Sequence, residues 1–238
     1  MIGKEEKMRI VGTRMPHLLA SSYEKAARMV IDTYYVPVAE EIVAELHHMR
    51  TNNGGTNGKI LDLGTGPGYL PIEIAKRADN FHIDAIDPLG KSIRMARENA
   101  VIAGIANRIH FRVADATRLP FNEDSYDMIV STGVLHELKN PVDMFEECYR
   151  VLKPSGKVFI HDPARVSAGI DKTAWIASLD FLERMLLTLH TVFKKNKLPH
   201  TYSEKEAEEM IAATKFKEYQ ISTYLVHGIR ELKITLKK

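Results

Sequence analysis

The sequence predicts an α/β fold built on a doubly wound, mostly parallel sheet, and three observations predict it. Short apolar runs alternate with amphipathic helical patterns from Lys59 to His161. A glycine-spaced loop, Gly64-Thr65-Gly66-Pro67-Gly68, follows the first of those runs. Acidic or hydroxyl residues then close the successive runs at the same end. Strands joined through helices need crossover connections, and crossovers produce a parallel sheet covered on both faces.

In chain order, Ser21 to Glu24 has the form of a capping box and opens a helix through about Tyr35. Pro37 starts a second helix with Val38, Ile42, Val43 and Leu46 on one face. Thr51 to Gly58 is a Gly, Asn and Thr linker without an apolar anchor. Residues 1–58 are thus expected to be a helical segment and linker acting as a lid, with the main domain over 59–238. Strands are expected at Lys59–Leu63, His82–Asp87, Ile109–Val113, Tyr126–Ser131 and Gly156–His161. Between them, Lys91–Ala103 carries Ile93, Ala96, Ala100 and Ala103 on one face, and Pro141–Leu152 carries Met144, Phe145, Cys148 and Val151. Lys153-Pro154-Ser155-Gly156 reads as a turn back to the sheet.

After the fifth strand the alternation stops. Residues 163–200 read as a helical insertion, because Trp175, Leu179, Leu182, Leu186 and Leu189 recur at helical spacing. Ser203-x-x-Glu206 caps a further helix to about Ala213, and strands near Glu218–Val226 and Arg230–Leu236 form an antiparallel hairpin around Gly228.

Composition narrows the function classes. The 238 residues are 45% hydrophobic and 27% charged, an ordinary globular balance. A formal net charge of +2 gives no bulk electrostatic pull towards nucleic acid or an anionic membrane. The single Cys148 excludes an internal disulfide framework and any metal or redox site needing two cysteines of one chain. Met1 to Arg14 holds no apolar run of signal-peptide length, and no stretch reaches membrane-spanning length. The expectation is a soluble, cytoplasmic protein.

The chemistry is concentrated at the carboxyl ends of the strands, where open α/β sheets bind ligands. Asp62 closes the first strand and Asp87 the second, Asp115 follows the third, and Ser131-Thr132-Gly133 follows the fourth. The glycine loop lets a ligand lie against backbone, and the helix after it supplies free N–H groups and a dipole end. That points to a nucleotide-type site. A dinucleotide fingerprint would need Gly or Ala at position 69, where this chain has Tyr69.

From Lys59 to Asp162 the motifs resemble those of the class I S-adenosylmethionine-dependent methyltransferases, of the small-molecule type seen in quinone biosynthesis. Asp62-Leu-Gly-Thr-Gly-Pro-Gly68 is similar to the family's first motif, which packs on the methionine and ribose of the cofactor. Asp87-Pro88 matches the acid that takes the ribose hydroxyls, and Ala114-Asp115-Ala116 the segment that meets the adenine amino group. Tyr126 to His136 resembles the fourth-strand motif, and Arg150 to Gly156 the turn before the fifth strand, with Ser155 in place of a second glycine. The resemblance implies a Rossmann-like, seven-stranded sheet with an antiparallel last strand. It implies cofactor contacts from Asp62, Gly64, Thr65, Gly66, Gly68, Asp87, Pro88, Asp115, Ala116, Ser131 and Thr132. It also implies S-adenosylmethionine as cofactor and S-adenosylhomocysteine as product.

On the acceptor side, His136 and Glu137 after the fourth strand, and His161 and Asp162 ending the fifth, are expected to approach one pocket. His136 reads either as a general base or as a residue that orients substrate or closes the loop, and Asp162 either as an acid–base group or as the holder of the turn. No metal site is expected, since these ligands come from separate loops without diagnostic spacing. Tyr34 and Tyr35 read either as a cover for the cofactor or as half-buried helix residues. The fourth-strand motif lacks the Asn/Asp-Pro-Pro-aromatic signature for exocyclic amino groups, and no Pro-Cys nucleophile or broad basic tract is present. A small organic acceptor, apolar if the insertion lines its site, remains, with a homo-oligomer open. The alternatives are a methyltransferase-fold protein that binds cofactor as a scaffold without catalysis and, more weakly, a nicotinamide oxidoreductase.

Overall fold

The computed structural model describes residues 28–52, 58–165, 201–226 and 229–238. Seven strands form one sheet in the order β3-β2-β1-β4-β5-β7-β6. They are β1 (Gly58–Leu63), β2 (Phe81–Asp87), β3 (Ile109–Val113), β4 (Tyr126–Thr132), β5 (Leu152–Pro163), β6 (Glu218–Val226) and β7 (Ile229–Lys237). Strands β1 to β5 pair in parallel, while β7 runs antiparallel to both β5 and β6. The expected seven-stranded sheet with an antiparallel last strand is therefore observed. The order reverses between β1 and β4, which opens a crevice at their carboxyl ends.

Helices α1 (Val36–Asn52), α2 (Tyr69–Arg77) and α3 (Gly90–Ile102) cover one face, and α4 (Pro141–Val151) and α5 (Glu204–Ala212) the other. Each face has its own apolar cluster. Ile42, Leu46, Ile72, Ala96 and Phe159 belong to the first, and Phe145, Cys148, Ile211, Phe216 and Ile234 to the second. The apolar stripes expected on α1, α3 and α4 are all buried apart from Ala103, which is partly buried. Burial pushes the Cys148 thiol well up, so it is a packing residue and not a nucleophile. The α5 capping box is present, with Ser203 Oγ accepting from Glu206 N–H and Glu206 Oε2 accepting from Ser203 N–H.

Three boundaries differ from the sequence reading. Pro37 does not start a separate helix: residues 28–52 are one helix containing a π turn at Ile31–Tyr35. Proline removes an N–H and crowds the carbonyl four residues back, so a widened turn is where the helix accommodates it. Val36 N–H reaches the Ile31 carbonyl there. The linker is shorter than Thr51 to Gly58, since Thr51 and Asn52 extend α1 and Gly58 begins β1. Lys153 to Gly156 is a bulge within β5 and not a turn before it. Tyr126 pairs with Leu152 and Met128 with Lys157, so the extra residues loop out, with Ser155 at φ 65°. Pro163 ends β5, and Ala164 bridges to Tyr202; residues 166–200 of the expected insertion lie outside the described residues. The capping box at Ser21, the apolar helix from Asp171 and the Gly228 turn lie outside the described residues.

Helix α1 sits in the core through Val38, Ala39, Ile42, Val43 and Leu46, all buried. Ile42→Ala is expected to lower stability by roughly 2–5 kcal/mol, as for other fully buried aliphatic side chains. Urea unfolding with an unchanged slope would check this; a loss below about 0.5 kcal/mol would show that α1 is not part of the cooperative unit.

Candidate active site

The crevice at the switch point is built around one carboxylate. Asp87, ending β2, is buried, and its Oδ2 accepts from Gly66 N–H at 3.0 Å while its Oδ1 accepts from Leu89 N–H at 2.9 Å. It thereby ties the glycine loop after β1 to the loop after β2. Thr65 N–H donates to the Ile86 carbonyl at 2.8 Å, and Asn99 Nδ2 on α3 donates to the Pro67 carbonyl at 2.9 Å.

The three loop glycines have left-handed backbones but different surroundings. A Cβ on Gly64 would lie 2.2 Å from Val134 Cγ2, and one on Gly68 2.9 Å from Ala96 Cβ. A Cβ on Gly66 would meet nothing nearer than the Gly64 carbonyl oxygen at 4.0 Å. Gly64 and Gly68 thus serve packing, and Gly66 faces open space.

Two buried polar atoms of the same strand end and loop are left without partners. Asp62 Oδ2 and Thr65 Oγ1 have no hydrogen-bond partner among the described residues. Burial pushes the Asp62 carboxyl up to about 7; the nearby Thr65 hydroxyl offsets part of this without forming a full hydrogen bond, and the Asp87 charge adds to it. Tyr35 lies over the same edge. Burial and the Asp62 charge push its hydroxyl up to about 12, with Thr132 beside it acting in the opposite direction. Its ring meets Tyr69 edge-on at 5.5 Å. Further along, Leu89 and Val113 are exposed by 64% and 54%, flanking the ends of β2 and β3. Asp115 stands at the exposed rim, its Oδ1 accepting from Thr117 N–H and Oγ1–H, while Ala116 is buried and Pro88 exposed. Ser131 is buried, its Oγ 3.4 Å from the Leu63 carbonyl.

Of the four acceptor-side candidates, three come together. Asp162 is fully buried and accepts from Leu135 N–H at 2.8 Å, from His136 N–H at 3.2 Å, and contacts His136 Nδ1 at 2.9 Å. Glu137 Oε1 lies 3.1 Å from His136 Nε2. The carboxylate therefore holds the 3₁₀ turn Leu135–Glu137 and the imidazole together. His161 does not join them. Adjacent residues on a strand face opposite sides of the sheet, and His161 contacts Tyr224 on the α1 side instead. Two contributors escaped the sequence reading. Asn99 is a polar residue on the buried stripe of α3, which is the signal that marks it. Glu231 is a buried carboxyl on β7 with Tyr34 Oη 3.5 Å away, and nothing in its local sequence distinguishes it.

Comparisons with known proteins bear on the fold and on the stretch that carries the glycine loop. A family model for a methyltransferase domain matches residues 61–160. The ubiquinone/menaquinone biosynthesis C-methyltransferase UbiE of Geotalea daltonii is 37% identical over 108 residues, covering 44% of this chain and 45% of that protein. The match thus spans less than half the length of that relative. A crystal structure from Methanococcus maripaludis, described as an S-adenosyl-L-methionine-dependent methyltransferase, covers 97% of both chains with a TM-score of 0.62 at 22% identity. The [4+2]-cyclase SpnF shares the fold at TM-score 0.57 and 17% identity, covering 77% of this chain and 76% of that one. Likeness at such identity shows the fold alone. Over residues 61–160 the chain is thus similar to a methyltransferase domain, and its seven-stranded sheet is the fold of the S-adenosylmethionine-dependent methyltransferases. Among the described residues, no helix is long and apolar enough to cross a membrane, and no cluster of three metal-ligating side chains occurs.

Two predictions follow from this geometry. Gly64→Ala should cost roughly 2–4 kcal/mol through strain and the Val134 contact, and Gly66→Ala only about 1 kcal/mol through strain, as read by urea unfolding. Burial, with the Asp162 charge, pushes Glu231 from 4.5 up to about 8. Its protonated form is favoured by the fold, so its contribution is full below its unfolded value and lost as pH rises towards 8. Glu231→Gln should therefore gain roughly 1–3 kcal/mol over the native protein between pH 5 and pH 8. Parallel unfolding curves at the two pH values would contradict this.

Proposed function

We propose that this protein transfers a methyl group from S-adenosylmethionine to a small, largely apolar organic molecule. The observation that carries the reading is the set of buried, unpartnered polar atoms around a glycine that faces open space. Asp62 Oδ2 and Thr65 Oγ1 would be satisfied by hydrogen-bond donors and acceptors of the cofactor's methionine part, because a buried unpaired polar group otherwise costs about 1–3 kcal/mol. Gly66 leaves the loop open to it, while Gly64 and Gly68 keep the loop packed against Val134 and Ala96. Asp87 is already fixed by two backbone N–H groups and retains lone pairs for vicinal ribose hydroxyls. Leu89, Val113 and Ala116 offer apolar walls for a flat base, with Asp115 and Pro88 at its rim. Ser131 and Thr132 end β4 beside this space.

The cofactor, when bound, supplies a methyl group activated by a sulfonium. This chain's residues then align the acceptor for in-line displacement and exclude water. Asp162 holds His136 and the 3₁₀ turn after β4 in one arrangement at the edge of this space, as positioning groups for the loop. The named activity of the UbiE relative, C-methylation in ubiquinone/menaquinone biosynthesis, fits an apolar acceptor.

The test is calorimetric titration with S-adenosylmethionine and S-adenosylhomocysteine, with NADH as control and Asp87→Ala alongside. Micromolar binding of both sulfur ligands, at least tenfold weaker in the variant and absent for NADH, is expected. A folded protein that binds neither would refute the proposal, and binding without turnover of any acceptor would favour a catalytically silent scaffold.

A further inference from the structure

A cleft of about 280 Å³ lies between the π turn with the start of α1 and the strands β5, β6 and β7. His161 lines it and is only 2% exposed. Its Nδ1 is 2.7 Å from Tyr224 Oη, and its Nε2 has no hydrogen-bond partner among the described residues. Burial pulls the imidazole down to about 4, with Glu41 raising and Lys233 lowering it, so the ring is neutral at pH 7. A neutral ring offers Nε2 either as a donor or as an acceptor, according to which way the Tyr224 contact runs. A hydroxyl group is the partner that suits both tautomers, because it donates and accepts.

The remaining walls select against charge. Glu41 and Lys233 both line the cleft and pair with each other, leaving no net charge for an ionic ligand. Pro37, Val38 and Val226 add apolar surface. The cleft also adjoins the cofactor end of the crevice. His161 is the register partner of Thr132 across β5 and β4, and Tyr34, which lines the cleft, precedes the Tyr35 that covers Asp62.

We propose that this cleft receives the methyl acceptor as a neutral, largely apolar alcohol or phenol, with its hydroxyl anchored on His161 Nε2. The proposal rests on the methyltransferase reading for the word acceptor, and on the cleft itself for the ligand chemistry. His161 is here a binding residue whose Tyr224 contact orients the ring.

The test uses the full chain with isotope-labelled histidines, titrated with p-cresol and with toluene, its counterpart lacking the hydroxyl. Each titration is run with and without S-adenosylhomocysteine. A saturable shift of the His161 side-chain resonances by p-cresol, with toluene binding at least tenfold more weakly, is expected. His161→Phe should remove the preference while S-adenosylhomocysteine still binds. Should that variant fail to fold, the p-cresol to toluene ratio in the native protein decides the matter alone. Equal affinities, or no His161 shift while S-adenosylhomocysteine binds, would overturn the cleft proposal and leave the methyltransferase reading standing. A His161 shift in a protein that binds no S-adenosylhomocysteine would overturn the acceptor assignment.

Discussion

The site depends on the Asp87 carboxylate bridging two loops. A single buried acid accepts from Gly66 N–H and Leu89 N–H, so the ends of β1 and β2 are held at a fixed separation. Without that bridge, the glycine loop would keep, among the described residues, the Thr65 to Ile86 backbone bond, the Asn99 contact and the packing of Gly64 and Gly68 on Val134 and Ala96 as ties to its neighbours. A loop with three left-handed glycines has much conformational freedom to lose, and it is ordered only because several partners share the cost. The geometry of the loop is therefore set by the fold itself.

Among the described residues, polar groups away from this edge are satisfied in the ordinary way. Arg150 reaches the Phe121 and Leu119 carbonyls and pairs with Glu147, and Arg108 caps the carbonyls of Ala75 and Ala78. At the carboxyl edge the pattern inverts. Asp62, Thr65 and His161 keep buried atoms without partners among the described residues, and Glu231 and Asp62 are held towards their neutral forms. Buried polar atoms are rarely left unmatched, so their gathering at one end of the sheet is what makes that edge the candidate site.

Much of this was legible in the chain because the relevant signals are local. The strand ends at Asp62 and Asp87, the spacing of Gly64, Gly66 and Gly68, and the Ser203 to Glu206 cap each depend on residues within one turn of each other. The errors fell where a distant partner decides the outcome. Pro37 reads as a helix start, yet α1 packs so extensively on the sheet that the chain accepts a π turn and continues. Lys153 to Gly156 reads as a turn, yet pairing with β4 draws it into β5 as a bulge.

The sequence by itself determined the alternation that makes a parallel sheet, the glycine loop and the acids at the strand ends, since periodicity and spacing are properties of the chain. Only the tertiary structure decided which side chains share a pocket. His161 and Asp162 are neighbours in sequence, but the pleat sends one to Tyr224 and the other to His136. Glu231 meets Tyr34 across 197 residues, and His161 faces a cleft made by α1, β6 and β7. Such meetings are set by strand order and face, and no local pattern encodes them.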